Sequence, residues 1–213
     1  MTDKPDTLAA LLQHPLVAIL RGVAPGEVLG VAEVLVECGW RAIEVPLNSP
    51  EPFDSIERLA TRFGHQIVLG AGTVLGAADV QRCADAGARL VLAPNRDGAV
   101  IRAARAAGLV VMPGVATPSE AFEALAAGAQ ALKLFPADVL GTASFKGWKA
   151  VLPAGVPLFA VGGVDGGNLR AFREAGAAGA GLGSSLYAPG RALDDLRQRA
   201  LGLAIAWSRV NGP

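Results

Sequence analysis

The amino-acid sequence predicts a single (β/α)8 barrel, an α/β fold, on the basis of three observations. Eight short, apolar, β-rich runs recur along the 213 residues at intervals of roughly 20 to 27 residues. Segments with helical spacing lie between these runs, and glycine commonly follows where such a segment would end. No linker, low-complexity tract or charge block divides the chain, so we expect one domain over residues 1–213.

The strand-like runs alternate with helical segments, which is typical of parallel strands joined by crossover helices. They comprise residues 16–22, 42–48, 67–73, 90–95, 110–115, 131–136, 158–163 and 178–184. A doubly wound open sheet is the alternative fold. We disfavour it because no strand leads through a G-x-G-x-x-G motif into a helix, and because eight strands match barrel closure.

The predicted helices start with an amphipathic segment at residues 7–13. Further helices are predicted over residues 27–37, 77–86, 99–107, 119–127 and 169–174, with a closing helix over residues 193–210. Most of the internal helical segments end next to a glycine, which adopts the left-handed cap conformation cheaply. Residues 137–153 are longer than the other connections and contain Phe145, Trp148 and two lysines, so we expect an extra loop over the barrel mouth.

Composition excludes several functional classes. Hydrophobic residues make up 52% of the chain and charged residues 18%, far from the signature of a disordered protein. The formal net charge is zero and no run of lysine or arginine occurs, so we expect no nucleic-acid and no membrane partner. A small anionic ligand can still bind at a local glycine nest or a helix N-terminus.

The cysteines, the histidines and the N-terminal residues bear on three further properties: disulfide bonds, metal sites and cellular location. Cys38 and Cys83 are predicted to be small buried residues, with no disulfide framework. With only His14 and His65, a histidine-rich metal site is excluded, whereas a carboxylate-bound magnesium stays open. Residues 1–6 lack the layout of a signal peptide and no stretch has the length of a membrane span, so we expect a soluble cytoplasmic protein.

The candidate catalytic residue is Lys133, which lies in the middle of the apolar run at residues 131–136. The other three lysines of the chain lie in polar or turn-rich surroundings. Burial of an ammonium group lowers its pKa and makes the neutral amine available as a nucleophile toward a carbonyl carbon. The alternative is a structural lysine that is ion-paired or extends to solvent at a strand end.

Glu44 is the predicted partner of Lys133. Alternation along the strands at residues 42–48 and 131–136 directs both side chains into the barrel, near the mouth where enzymes of this fold place their sites. A carboxyl and an amine in one desolvated cavity perturb each other's pKa and can exchange protons with a substrate. Since buried ion pairs are a poor source of net stability, two inward charges favour a functional site over a structural pair.

Further polar groups and glycines follow other strands at the same end of the barrel. Arg21 and Thr73 supply a cation and a hydroxyl that suit a carboxylate ligand, although each alone is also an ordinary strand-end residue. Two glycine-rich loops follow the seventh and eighth strands, where this fold frequently binds phosphate. These loops read Val161-Gly162-Gly163-Val164 and Gly181-Leu182-Gly183-Ser184-Ser185.

Taken together, these residues resemble the 2-keto-3-deoxy-6-phosphogluconate and -galactonate aldolases, the class I, pyruvate-dependent Schiff-base aldolases of the KDPG/KHG kind. The resemblance runs from about residue 16 to residue 187. It rests on the run Ala18-Ile19-Leu20-Arg21-Gly22, on Glu44, on Gly70-Ala71-Gly72-Thr73-Val74, on Pro94-Asn95, on Pro113-Gly114-Val115-Ala116-Thr117, on Leu132-Lys133-Leu134-Phe135-Pro136 and on the two glycine loops.

The resemblance implies a homotrimeric lyase of carbohydrate metabolism that needs neither a metal nor another cofactor and acts on a phosphorylated 2-keto-3-deoxy sugar acid. Lys133 would form the Schiff base, and Glu44 would act as general acid and base. Arg21 and Thr73 would bind the pyruvyl end, while Pro94 and Phe135 would shape the surroundings of the lysine. Phosphate would bind at the two glycine loops, through Gly162, Gly163, Gly183 and Ser184.

At two places this sequence differs from the residues typical of the gluconate branch of that family, and both differences indicate the galactonate branch. The gluconate branch typically has an arginine and a threonine after the strand-two glutamate, and a threonine before the paired glycines. Here those places read Leu47-Asn48-Ser49-Pro50 and Val161. Val161 offers no hydroxyl near C4 of the substrate, so it is a candidate substrate-binding residue that bears on C4 configuration, and Arg21 carries more of the carboxylate binding.

Three other functions stay open at this point. One is aldol cleavage of the gluconate epimer or of 4-hydroxy-2-oxoglutarate. Another is a barrel isomerase or epimerase of phosphosugars that uses Glu44 and Lys133 only as acid and base. The third, from a different class, is a non-catalytic phosphosugar-binding protein that keeps the glycine loops.

Overall fold

The computed structural model describes residues 6–208 of the chain. The elements, in chain order, are α1 Thr7–Gln13, β1 Leu16–Ile19, α2 Val28–Glu37, β2 Ala42–Pro46, α3 Pro52–Phe63, β3 Val68–Gly72, α4 Ala77–Asp85, β4 Leu90–Leu92, α5 Gly98–Ala106, β5 Val110–Met112, β6 Gly114–Val115, α6 Pro118–Ala126, β7 Leu132–Leu134, α7 Ala137–Val151, β8 Leu158–Val161, α8 Leu169–Glu174, β9 Gly179–Leu182 and α9 Leu193–Ser208. The predicted alternation of strand and helix is confirmed.

The strands form one parallel sheet in the order β5-β4-β3-β2-β1-β9-β8-β7-β6. Pro113 separates β5 from β6 because it has no N–H to donate to a neighbouring strand, so these two segments are parts of one barrel strand. The N–H of Gly114 donates to the carbonyl of Ala93 at 2.9 Å, and the N–H of Lys133 donates to the carbonyl of Pro113 at 3.0 Å. These bonds join both neighbours to that strand, and the predicted (β/α)8 barrel is confirmed.

Two apolar layers follow from the alternation of side chains along each strand. The inner cluster fills the barrel and consists of Leu11, Val17, Ile19, Ala42, Val68, Leu90, Leu92, Val110, Met112, Ala131, Phe159 and Val161. The outer cluster lies between the strands and the surrounding helices, and it includes Ile43, Val45, Leu132 and Leu134. The predicted phase of β2 and β7 is therefore confirmed, with Ala42 and Ala131 facing inward.

Most helix limits lie within a residue or two of their predicted positions, since capping residues mark them. Thr117 and Glu120 form a capping box at the start of α6, and Asp97 caps α5 with its side chain. The predicted cap glycines after α2, α4, α5, α6 and α8 all have positive φ, between 73° and 106°. Positions 209 and 210 of the predicted closing helix, like residues 1–5, lie outside the described residues.

The prediction of an extra loop at residues 137–153 is wrong. The segment forms α7, Ala137–Val151, which is bent at Gly141 where φ is 69°. Phe145 and Trp148 are buried, and the ring of Phe145 meets that of Phe172 from α8 edge to face at 5.5 Å. The aromatic residues therefore pack α7 against the barrel and its neighbouring helix as an ordinary crossover helix. Within residues 6–208, no helix is both long and apolar enough to cross a membrane.

Candidate active site

A pocket of about 370 Å³ lies at the carboxyl-terminal ends of the strands. All the site residues predicted from the sequence line it, namely Arg21, Glu44, Thr73, Pro94, Lys133, Phe135, Val161, Gly162, Gly163, Gly183 and Ser184. These residues come from seven different strands or the loops that follow them, so only barrel closure brings them together. The sequence reasoning missed Asp165 and Ser185, which also line the pocket.

Lys133 lies at the centre of β7, and its side chain enters the pocket from inside the barrel. The residue is only 5% exposed. Burial is the main cause that lowers the pKa of its amine below 10.5; the negative charge of Glu44 opposes this shift and the positive charge of Arg21 adds to it. Nζ lies 5.3 Å from the centroid of the Phe135 ring. The surroundings therefore shift the amine toward its neutral, nucleophilic form.

Glu44 enters the same pocket from the centre of β2 and is 1% exposed. Burial raises the pKa of its carboxyl above 4.5, against the opposing positive charges of Lys133 and Arg21. Its Oε2 atom has no hydrogen-bond partner among residues 6–208, and the described side chains include no ion pair between Glu44 and Lys133 within 4.0 Å. Both groups are therefore shifted toward their neutral forms instead of forming a salt bridge.

The loop after β2 holds the loop after β1. The Nη1 group of Arg21 donates to Oδ1 of Asn48 at 2.7 Å, and the backbone N–H of Gly22 donates to Oγ of Ser49 at 2.9 Å. Ser49 is buried, whereas Arg21 and Asn48 are exposed at the rim of the barrel. The guanidinium of Arg21 is thus tethered beside the pocket by a residue that the sequence analysis had assigned only to branch identity.

Thr73 follows β3 in a strained backbone conformation. Its φ is 55°, a left-handed value that a β-branched residue rarely adopts and that costs on the order of 1–3 kcal/mol. Such conformations persist where the surrounding structure holds them, and they cluster at active sites and ligand clamps. Thr73 lines the same pocket as Glu44 and Arg21.

The first glycine loop, Gly162–Gly163, follows β8, and its backbone requires glycine at both positions. Their φ values are 95° and 63°, and a Cβ on Gly163 would lie 2.1 Å from Oδ2 of Asp138. Asn168 Nδ2 donates to the carbonyl of Gly163 at 2.7 Å. The N–H of Gly163 has no acceptor within residues 6–208, so it is available to a ligand.

The second glycine loop, residues 183–185, follows β9 and begins a single helical turn. The N–H groups of Leu186 and Tyr187 both donate to the carbonyl of Gly183, at 2.9 and 2.8 Å. The N–H of Ser184 has no acceptor in the described part of the chain. Free N–H groups at the start of a helical turn suit an anion.

The two missed residues connect these loops to their surroundings. Ser185 Oγ donates to the carbonyl of Val164 at 2.8 Å, which joins the second glycine loop to the first. Asp165 Oδ1 accepts from the N–H groups of Gly167 and Asn168 at 2.8 and 3.2 Å. The available signal was their position in the chain: Ser185 ends the second glycine loop, and Asp165 lies two residues after the first.

Among residues 6–208, no group of three or more His, Cys, Asp or Glu side chains is arranged to hold a metal ion. The polar groups of the pocket are instead an amine, a carboxyl, a guanidinium, hydroxyls and backbone N–H groups.

The closed barrel, with an amine and a carboxyl buried at its mouth beside two glycine loops, defines a (β/α)8-barrel enzyme that acts on a small polar molecule. More specifically, the chain belongs to the KDPG and KHG aldolase family, whose sequence model matches residues 8–196.

Similar proteins cover nearly the whole chain. A probable 2-dehydro-3-deoxy-6-phosphogalactonate aldolase of Rhizobium meliloti (strain 1021) is 49% identical over 201 residues, which is 94% of this chain and 95% of the relative. The 2-dehydro-3-deoxy-6-phosphogalactonate aldolase of Escherichia coli (strain K12) is 45% identical over 193 residues, covering 91% and 94%. A solved native KDPGal structure, 45% identical, matches with a TM-score of 0.90 over 92% of this chain and 95% of its own.

Proposed function

We propose that the protein is a class I aldolase that cleaves 2-dehydro-3-deoxy-6-phospho-D-galactonate to pyruvate and D-glyceraldehyde 3-phosphate, in the breakdown of D-galactonate. The observation that carries this proposal is the pairing of a buried Lys133 amine with a buried Glu44 carboxyl in one pocket, both shifted toward neutrality. The names of the similar galactonate aldolases supply the substrate.

The reaction starts with attack of the neutral Lys133 amine on the C2 carbonyl carbon. The carboxyl of Glu44 donates a proton, directly or through a water molecule, to the hydroxyl of the resulting carbinolamine, which leaves as water. This step gives an iminium, the electron sink for the next step, and leaves Glu44 as a carboxylate that can accept a proton. Glu44 accepts the proton of the C4 hydroxyl, directly or through a water molecule, while the C3–C4 bond breaks and its electron pair moves toward the iminium nitrogen. The aldehyde leaves, and an enamine remains on Lys133.

The enamine is then protonated at C3, for which the carboxyl of Glu44 holds the proton it has just received. Addition of water to the regenerated iminium releases pyruvate and frees the amine of Lys133. One water is lost and one is consumed over the cycle, so the balance is that of a simple aldol cleavage. The raised pKa of Glu44 suits a group that alternately accepts and donates a proton.

The remaining pocket residues position the two ends of the substrate. In this proposal the carboxylate of the pyruvyl end binds Arg21 and Thr73, and the phosphate binds the backbone of the glycine loops at Gly162, Gly163, Gly183 and Ser184. Pro94 and Phe135 border the lysine, and Val161 faces C4. Binding at both ends fixes the C3–C4 bond between Lys133 and Glu44, which lowers the entropy lost on reaching the transition state.

The test of the covalent step is borohydride reduction in the presence of pyruvate, followed by mass analysis of the peptides. The expected result is one reduced pyruvyl group on Lys133. Lys133→Met should abolish labelling, whereas Lys146→Met, which removes an exposed lysine of α7, should leave it unchanged. Turnover of a phosphosugar without labelling would favour the isomerase or epimerase alternative. Binding without turnover of either epimer would favour the non-catalytic alternative.

The test of the substrate is the ratio of kcat/KM on the galactonate and gluconate epimers, each assayed by pyruvate release. A higher kcat/KM on the galactonate epimer is expected, because Leu47-Asn48 and Val161 replace the residues typical of the gluconate branch. A clear preference for the gluconate epimer, or turnover of 4-hydroxy-2-oxoglutarate alone, would replace the proposed substrate by that of the second candidate.

Assembly and location remain proposals that rest on the family resemblance. We propose a homotrimer in the cytoplasm, formed by one barrel domain per chain. Large apolar side chains are exposed on the described surface, among them Leu75 and Val139 near the mouth of the barrel, which are 57% and 78% exposed. Sedimentation of the purified protein would test the trimer: a monomer at micromolar concentration would contradict it.

A further inference from the structure

A charged triad lies behind the second glycine loop, outside the pocket. It consists of Arg191, which lies two residues before α9, and of Asp195 and Arg199, which lie four residues apart in the first part of that helix and so share one side of it. Nη1 of Arg191 and Nε of Arg199 both donate to Oδ2 of Asp195, at 3.1 and 2.9 Å. One carboxylate oxygen therefore holds two guanidinium groups together.

Each arginine also reaches the backbone of the glycine loop. Nη2 of Arg191 donates to the carbonyl of Ser184, and Nη1 of Arg199 donates to the carbonyl of Ser185, both at 3.4 Å. The two carbonyls are consecutive, so the triad contacts two successive peptide units of a loop that lines the pocket. Neither arginine lines the pocket itself.

These contacts orient the N–H groups of the loop. In a trans peptide the carbonyl and the following N–H point in opposite directions, so a carbonyl turned toward Arg191 turns the N–H of Ser185 away from it. The N–H of Leu186 already donates to the carbonyl of Gly183 at 2.9 Å. By contrast, the N–H groups of Ser184 and Ser185 have no acceptor within residues 6–208 and are available to a ligand in the pocket.

The triad also adds positive charge where the loop has none. Two guanidinium groups and one carboxylate leave a formal charge of +1 directly behind the carbonyls of Ser184 and Ser185. Arg191 is the least exposed arginine among the described ion pairs, with a side chain 15% exposed, so its charge is less screened by solvent. A polarised peptide backed by a cation binds an anion more strongly than the peptide alone.

We propose that Arg191, Asp195 and Arg199 are positioning residues that hold the second glycine loop in its phosphate-binding conformation, without touching the substrate. This inference rests on the proposed function, because it requires a ligand that carries phosphate. The triad acts on the phosphate end alone and leaves the reaction of Lys133 with pyruvate unchanged. Phosphate binding and pyruvate trapping can therefore be measured separately.

The experiment compares Arg191→Gln, Arg199→Gln and the double variant with wild-type protein. Three quantities are measured: the Kd of inorganic phosphate by calorimetry, the KM of the phosphorylated substrate, and the rate of borohydride trapping with pyruvate. In the double variant the phosphate Kd and the KM are expected to rise about tenfold, since charge-assisted hydrogen bonds to the loop are lost. The rate of trapping should stay at the wild-type value, which also shows that the variant is folded.

The matched control is Arg170→Gln, which breaks an ion pair of the same spacing with Glu174 on α8, where Nε and Oε1 lie 2.7 Å apart. This control should change none of the three quantities. Unchanged phosphate affinity in the double variant would overturn the inference, and so would a proportional loss of pyruvate trapping. If wild-type protein binds phosphate but traps no pyruvate, the proposed function fails, while the phosphate affinities of the variants still decide the role of the triad.

Discussion

The side chain of Glu44, on β2, lies so close to the backbone of Gly72, on β3, that any larger residue at position 72 would displace it. A Cβ on Gly72 would lie 1.6 Å from Oε1 of Glu44 and 2.4 Å from its Cδ. The two strands pair in register nearby, with Glu44 opposite Gly70 and Pro46 opposite Gly72. The missing side chain of Gly72 therefore creates the space in which the buried carboxyl sits.

We expect Gly72→Ala to displace the Glu44 carboxyl and lower kcat/KM by a factor of about a hundred or more, because proton transfer depends on its position. Overpacking of this kind also lowers the free energy of unfolding by about 1–3 kcal/mol. Kinetics and denaturant unfolding check both effects. Gly30→Ala on α2 is the control, since its new Cβ would meet only Leu193 Cδ1 at 3.9 Å. Equal activities of the two variants would contradict the expectation.

Lys133→Met should lower kcat by more than about a thousandfold, because no other described lysine reaches the pocket. Stability should move the other way. A methionine of similar length buries no ionisable group, so the free energy of unfolding is expected to equal or exceed that of the wild type. Urea unfolding at pH 7 measures it. A marked destabilisation would show that the Lys133 amine is a structural group.

Glu44→Gln separates proton transfer from covalent binding. The amide has nearly the shape of the carboxyl but cannot accept the C4 hydroxyl proton, so kcat for cleavage should fall by a factor of about 10² to 10⁴. Lys133 should still become labelled by pyruvate and borohydride. Loss of both activities together would mean that Glu44 acts by supporting the lysine and not as the base.

The lowered pKa of Lys133 makes stability depend on pH in a defined direction. Between that lowered pKa and 10.5, the unfolded chain binds a proton that the folded chain does not, so this residue makes stability rise with pH, by at most about 1.4 kcal/mol per pH unit.

Burial raises the pKa of Cys83 to about 12, so above pH 9.0 the folded chain retains a proton that the unfolded chain loses, and this thiol lowers stability there.

The measurement is therefore the difference in free energy of unfolding between Lys133→Met and wild type, followed from pH 6 to pH 9. That difference removes contributions common to both proteins. The advantage of the methionine variant should be largest at low pH and shrink as pH rises. A difference that is independent of pH across this range would show that the amine titrates normally in the folded protein.

Asn48→Ala should weaken binding of the pyruvyl end, since it removes the acceptor that tethers Arg21 at 2.7 Å. The expected rise is about threefold to tenfold in KM, and in the pyruvate concentration that half-saturates trapping, with little change in kcat. Gln198→Ala, an exposed change on α9, provides the control. A fall in kcat at constant KM would instead assign Asn48 to the chemical step.

Thr117→Ala should destabilise the fold without affecting catalysis. Oγ1 of Thr117 accepts from the N–H of Glu120 at 3.3 Å, and Oε2 of Glu120 accepts from the N–H of Thr117 at 2.9 Å. Loss of this cap is expected to cost about 1 kcal/mol of unfolding free energy. Ser119→Ala, at an exposed position of the same helix, should have a smaller effect on urea unfolding.

Much of the fold follows from local patterns. Strand periodicity and cap glycines depend on neighbouring residues, so the order of elements was predictable. The loop predicted at residues 137–153 rests on the length of the segment and on its aromatic residues and lysines, whereas the structure buries Phe145 against Phe172 of α8 and makes the segment a helix. The contact of Ser185 with Val164 and the tether of Arg21 to Asn48 join separate loops, so no local pattern predicts them. Asp165 bonds within its own loop, but no motif marks it.

The sequence by itself determined that Lys133 and Glu44 face the interior of one barrel, because alternation along a strand is set by the backbone. Only the tertiary structure sets the pKa values of those two groups. Their pKa shifts come from desolvation and from the charges of residues brought together by barrel closure. The space beside Gly72 and the orientation of the glycine loops likewise arise from packing between elements distant in the chain, which no local pattern encodes.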